Sequence, residues 1–340
     1  MIPPDLPCPA LRISGPAADL STLEEPVLLA LIATEEEFDW RGGFSRDEVS
    51  TRAIDDLHLA HEVLREYGLV PTYAIDYPVA TQKGGHFKAW LDEGSAEIGA
   101  HLHPWVNPPH DESVGLTNSF PGNLSPELEY AKLEALVEAI EAGTGRRPIL
   151  YQAGRFGIAG ATLEHLERLG FLIDASTAPP FDYRNEGGPN FSGLRAVPYW
   201  IEGRERMLEI PVTGAYLGGL HRRGPRMFPV ISKRPLSKLR VGGVLSRLKL
   251  LERSRLTPEG HTLGDMMRLT RGLHQRGQKV FTFYFHSPTI TPGCTEYAPD
   301  ERARDAFVDR CRRYLDFFFG ELDGVAMGHS ALYELAARNR

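Results

Sequence analysis

Apolar and polar positions follow one another in blocks along this chain. Short apolar runs at 27–33, 69–75, 149–153, 171–174, 208–212 and 279–285 predict buried strands, as does a shorter stretch at 325–328. Runs of four to eight branched or aromatic residues between turn-formers suit a sheet that is covered on both faces. Helical spacing recurs between them. Ser45-Arg46-Asp47-Glu48 reads as a capping box, with Ile54, Leu57, His61 and Leu64 on one face as far as Gly68. Ser125-Pro126 supplies an N-cap with proline in the first turn, and Leu128, Leu136 and Ile140 mark a face before Gly143. Further helices are predicted over 162–169, 263–275 and 301–319. Strand and helix alternate seven or eight times with no linker-like break. The pattern predicts an α/β fold, a parallel (β/α) barrel of seven or eight strands over 25–340, behind an extended Pro- and Ala-rich arm at 1–24.

Composition narrows the class. With 340 residues, 42% of them hydrophobic and 24% charged, the chain can bury one large core. No apolar stretch approaches the roughly 20 residues that span a bilayer. The opening MIPPDLPCPALRISG has neither the basic start nor the apolar centre of an export signal, so a cytoplasmic location is expected. Cys8, Cys294 and Cys311 are too scattered for a disulfide framework or a thiolate zinc cluster.

The net charge of −7 is unevenly distributed: residues 221–255 hold eleven Lys/Arg against the single acid Glu252. This basic segment breaks the strand–helix alternation and reads as an insertion at about 218–260. Its mixture of cations and branched aliphatics suits an anionic glycan or an anionic membrane surface, which would place the protein peripherally at the inner membrane. Nucleic acid is disfavoured, because aromatics are sparse there and the remainder is acidic.

The candidate chemistry lies at the carboxyl ends of the predicted strands, which share one face of a (β/α) barrel. Thr34-Glu35-Glu36-Glu37-Phe38-Asp39-Trp40 follows the first run. His101 and His103 end another, and two residues apart on an extended segment they point to the same side. Two imidazoles and one inward carboxylate make a three-ligand site for Zn²⁺ or a similar divalent ion, with a position left open for water. Arg155, between Gly154 and Gly157, could orient a carboxylate. Asp174 could serve in catalysis or cap the turn through Ser176. His286 ends the most hydrophobic strand and could act as a general acid, since an imidazole titrates near neutrality.

The ordered set TEEEFDW, EIGAHLHPW, YQAGRFG, LIDAST and FYFHSPTITPG resembles the five motifs of the NodB-like polysaccharide deacetylases, carbohydrate esterase family 4, and most closely their WalW-like branch. The resemblance covers roughly residues 26–332. It implies a distorted (β/α) barrel and metal-dependent removal of acetyl groups from a saccharide or its precursor, with an acidic base activating water and a histidine protonating the leaving group. Carried over by position, Glu35 resembles the metal carboxylate and His101 the first metal histidine. Arg155 matches the arginine that orients the base, Asp174 the fourth-motif aspartate and His286 the general acid. The chain departs from the pattern in three places. The usual base position falls on Ala33, so that role passes to Glu36 or Glu37, of which Glu36 is taken. The second metal histidine commonly lies where Trp105 stands, leaving His103 as substitute. Arg155 precedes Phe156, where the family commonly has proline. Two other expectations follow: a non-catalytic carbohydrate-binding or regulatory descendant of the barrel, or a hydrolase of small cyclic amides.

Overall fold

The computed structural model describes residues 13–38, 43–231 and 241–340. Asp39 of the first motif and residues 232–240 of the basic segment lie outside the described residues. In chain order the strands are β1 (Val27–Thr34), β2 (Thr72–Ile75), β3 (Glu97–Leu102), β4 (Leu150–Ala153), β5 (Ile173–Asp174), β6 (Tyr199–Trp200), β7 (Leu208–Glu209), β8 (Gly214–Leu217), β9 (Glu252–Arg255), β10 (Val280–His286) and β11 (Val325–Ala326). The helices are α1 (His58–Glu66), α2 (Tyr77–Lys83), α3 (Lys88–Asp92), α4 (Pro126–Thr144), α5 (Gly160–Arg168), α6 (Gly224–Ile231), α7 (Val241–Arg247), α8 (Leu263–His274), α9 (Glu301–Gly320) and α10 (His329–Arg338).

β1 is buried along its whole length, as its unbroken apolar run requires, and lies between β10 and β2 in a curled sheet ordered β10-β1-β2-β3-β4-β5-β7-β6, with β11 also on β1. Every neighbouring pair is parallel except β6–β7. The two halves of the curl approach where the chain leaves β7: the Thr282 amide donates to Thr213 Oγ1 (2.8 Å) and the Thr282 hydroxyl to Pro211 O (3.0 Å). The result is the distorted, incomplete (β/α) barrel expected from the sequence.

Local chemistry sets most helix ends. Ser125 and Asp300 cap α4 and α9 by accepting the amides of Leu128 and Ala303, and α4 ends on Gly145 in the left-handed region (φ 75°). The capping box at Ser45 does not start a helix. Arg46 is drawn away by the carbonyls of His110 and Glu112, and α1 begins only after a 3₁₀ turn, Arg52–Asp56. β8 and β9 form an antiparallel ribbon that carries α6 and α7, with a small core of Tyr216, Ile231 and Leu251. At the other edge, residues 14–18 run antiparallel to β6, bridging at Ala17 and Tyr199. Among the described residues no helix is long and apolar enough to cross a membrane.

Candidate active site

Three acceptors meet at the ends of β1 and β3. His101 Nε2 and His103 Nε2 are 3.0 Å apart, and Glu35 Oε2 lies 3.3 Å from the first and 3.5 Å from the second. All three side chains are buried. The outer nitrogen of each ring is engaged: His101 Nδ1 donates to Gln152 O (2.8 Å) and His103 Nδ1 faces Glu36 Oε2 (2.8 Å). Burial first, then the neighbouring His103 charge, lowers the pKa of His101, and burial lowers that of His103. Both rings are therefore neutral; Gln152 O can only accept, so His101 carries its proton on Nδ1 and presents a lone pair at Nε2, and His103 does the same when Glu36 is ionised. Glu35 Oε2 is buried and accepts no hydrogen bond. Burial would raise its pKa, but the nearby groups, the His286 cation foremost, outweigh it and hold Glu35 below the ordinary carboxylate value, so it is charged. Glu35 and the two Nε2 atoms are thus three groups able to ligate a metal at one point. Ligand atoms around a tetrahedral zinc, bonded at 2.0–2.1 Å, sit roughly 3.3 Å apart; the triangle fits a divalent cation in spacing and in chemistry.

Glu36 backs this triangle. It is fully buried on the far side of the His103 ring from Glu35, and its other oxygen accepts from Trp105 Nε1 (2.9 Å). Burial pushes its pKa up to about 7, and the buried carboxyl of Asp76 lies against it, likewise raised by burial. Asp76 also accepts the Glu36 amide (2.7 Å) while capping α2 through Val79 (2.8 Å). Trp105 stacks on His103 with centroids 4.2 Å apart. On the other side, a Cβ on Gly154 would stand 2.3 Å from Leu102 O and 2.6 Å from His103 Cδ2, so only glycine leaves the imidazole its place. The sequence reading of Glu36 as a base does not fit this geometry: both of its oxygens are engaged behind a ligand ring and shut off from solvent.

His286 ends β10 at the wall of an open cleft of about 750 Å³, which Glu37 and Phe38 also line, and its charge acts on Glu35. Its Nδ1 is 2.7 Å from Glu259 Oε2, and Glu259 also accepts the His286 amide and the Thr289 hydroxyl. Burial opposes protonation, but Glu259 and then Glu35 outweigh it and raise the pKa to about 9. His286 is therefore a cation at neutral pH, with Nε2 3.0 Å from the Tyr284 hydroxyl. Glu37 bonds to the Ala53 amide, the Ser50 hydroxyl and Arg52.

Two expected residues lie elsewhere. Asp174 is on the opposite face of the sheet from the histidines. In parallel register His101 pairs with Gln152, but Asp174 pairs with Tyr151, one residue earlier on β4, and successive strand residues alternate sides. Asp174 caps the following turn, its Oδ1 accepting from the amide (3.1 Å) and hydroxyl (2.5 Å) of Ser176, and it lies beside Glu209 on β7. Arg155 projects from a tight turn in which both it and Phe156 have positive φ (54° and 58°). Its guanidinium bonds to Ser119 and Glu186 and stacks on Phe120 at 4.2 Å; it touches none of the carboxylates it was expected to orient. Glu259 and Asp76 were not singled out from the sequence. Asp76 did have a signal, since Ile75-Asp76-Tyr77-Pro78 is a strand end followed by a cap, whereas no apolar run precedes Glu259.

No family model and no curated protein matches the chain. Solved structures do. One from Mycobacterium smegmatis, assigned as a polysaccharide deacetylase, superposes with a TM-score of 0.54 at 15% identity, over 97% of this chain and 94% of that one. Another so assigned, from Pseudomonas aeruginosa, gives 0.52 at 14% identity over 92% and 91%. Puue allantoinase gives 0.54 at 12% identity over 91% and 89%. The fold is the NodB-like polysaccharide deacetylase barrel, which is shared with an allantoinase.

Proposed function

We propose that this chain is a metal-dependent hydrolase that removes acetyl groups from a saccharide or saccharide precursor. The observation that carries the reading is the triangle of Glu35 Oε2, His101 Nε2 and His103 Nε2, three metal-ligating atoms within 3.5 Å of one another, with a cationic His286 near enough to hold Glu35 charged. A zinc-class ion held there would supply Lewis acidity, bringing a water's pKa toward about 7 and polarising an acyl carbonyl. The chain's own residues supply the rest. Glu36 and Gln152 O fix the tautomers and orientation of the two rings. His286, held by Glu259, donates the Nε2 proton to the departing amine or hydroxyl. Of the motif's other two glutamates only Glu37 lines the open cleft, and both of its oxygens already accept, from the Ala53 amide and from Ser50 and Arg52, so neither is assigned as the proton acceptor.

Protein purified without chelators or a histidine tag should contain near-stoichiometric zinc, cobalt or nickel, lost in His101→Ala, and should release acetate from acetylated saccharides. No metal even after reconstitution overturns the reading. Metal without acetate release, together with consumption of a cyclic amide, transfers the site to the other chemistry expected of this barrel. Saccharide binding without turnover leaves a binding protein.

A further inference from the structure

Two cations of the basic segment are built into the barrel beside the candidate site. Arg253 and Arg255 are two residues apart on β9 and project to the same side. Arg253 Cζ lies 4.2 Å from the ring centroid of Phe181 and 4.8 Å from that of Phe228. Arg255 Cζ lies 4.3 Å from Phe181 and 4.6 Å from Phe156. Sharing Phe181 holds two like charges close together on half-buried rings, yet among the described residues neither arginine forms an ion pair. The acid nearby, Asp182, is bound by Arg184 at 2.8 Å. Among the described residues Arg255 bonds to the Tyr183 hydroxyl alone, and its buried Nε has no partner. Burial lowers the pKa of Arg253, and the nearby Asp182, already bound by Arg184, does not offset it.

The pair adjoins the reacting centre. Phe156 touches Arg255 on one side and Tyr284 on the other, with ring centroids 5.6 Å apart, and Tyr284 meets His286. The Arg255 charge opposes protonation of His286. Beside the two forks, Phe181 and Tyr183 are half-exposed, with near-parallel rings (centroids 6.2 Å, 18°). Guanidinium forks match carboxylate and phosphate oxygens two at a time. We infer that Arg253 and Arg255 form an oxyanion subsite, so that the saccharide handled here is anionic, with a carboxylate or phosphate near the acetylated sugar. The inference rests on the hydrolase reading for the reaction, while the subsite itself is a binding property.

Calorimetry on the full chain tests it with two matched pairs of N-acetylated ligands: hyaluronan tetrasaccharide against chitotetraose for a carboxylate, and N-acetylglucosamine 6-phosphate against N-acetylglucosamine for a phosphate. The anionic member of at least one pair should bind about tenfold tighter, by an amount that shrinks between about 50 and 500 mM salt. Which pair shows the preference identifies the oxyanion. Arg253→Gln with Arg255→Gln should bring its two members to within about threefold. Arg253→Lys with Arg255→Lys, which keeps the charge without the fork, should retain the salt dependence and part of the preference. Equal affinities in both pairs, or a preference that survives the glutamines, overturns the inference. Anion-selective binding without acetate release would remove the hydrolase reading and leave the subsite; acetate release with no anion preference would do the reverse.

Discussion

Glu36 Oε2 and His103 Nδ1 stand 2.8 Å apart with both side chains sealed from solvent. The contact fixes the imidazole in the tautomer whose Nε2 lone pair faces Glu35 and His101. Glu36→Gln preserves the shape but replaces a carboxyl that ionises near neutrality with a neutral amide, weakening its support of the ring as a donor. Zinc affinity should fall about 10- to 100-fold with the fold intact, as read by chelator competition alongside far-UV circular dichroism. Unchanged affinity would show that Glu36 does not position the ring.

His286 is the group whose protonation the site most visibly promotes. Its pKa of about 9 lies above the ordinary imidazole value chiefly through Glu259, so the charged form is favoured in the folded state. That contribution to stability is complete below about pH 6.5 and is lost as pH rises through about 9. As the general acid, His286 should impose an alkaline limb on kcat/KM. Glu259→Gln should move that limb down by about 1 to 2 pH units, and a limb that stays in place would assign it to another group.

The part of the site written at strand ends could be read from the sequence. An apolar run that stops in charged residues announces β1, and the two-residue spacing of His101 and His103 announces a shared side; both follow from chain-local periodicity. Asp174 carried the same kind of signal and yet faces away, because its side is set by its register against Tyr151 on β4, which no local pattern encodes. Tertiary contacts decided other cases. Arg46 is held by the loop after β3 and does not begin a helix, and Glu259 reaches His286 across 27 residues. Lys132 on α4 would be taken from sequence for a solvated helix residue, but it is fully buried.

Asp174 and Glu209 lie side by side, buried, each with one oxygen lacking a donor. Burial raises Asp174 to about 6 and Glu209 well above its usual value, so the pair is stable only while it holds a proton. A carboxyl raised on folding contributes stability that is complete below its unfolded pKa near 4 and is lost as pH rises through the folded value. Urea unfolding should therefore show stability declining from about pH 4 to 7. Asp174→Asn, which supplies a donor to Glu209, should reduce that decline by about 1–3 kcal/mol. An identical pH profile in the variant would exclude the shared proton.

Lys132 Nζ donates to the carbonyls of Pro104 (2.9 Å), Asn107 (2.5 Å) and Pro109 (2.6 Å) and pairs with Glu112 at 3.0 Å. One buried cation thereby organises the loop after β3, whose Trp105 stacks on His103 and donates to Glu36. Lys132→Met would leave three carbonyls without their donor and Glu112 with only Arg46, 3.7 Å away. Three buried acceptors left unmet should cost about 2–5 kcal/mol in urea unfolding. The loop also gives the substitution a second readout. Trp105 should lose its fixed surroundings, weakening the near-UV circular dichroism, and zinc affinity measured under fully folding conditions should fall. A lower stability with unchanged metal affinity and unchanged Trp105 signal would confine Lys132 to holding the fold.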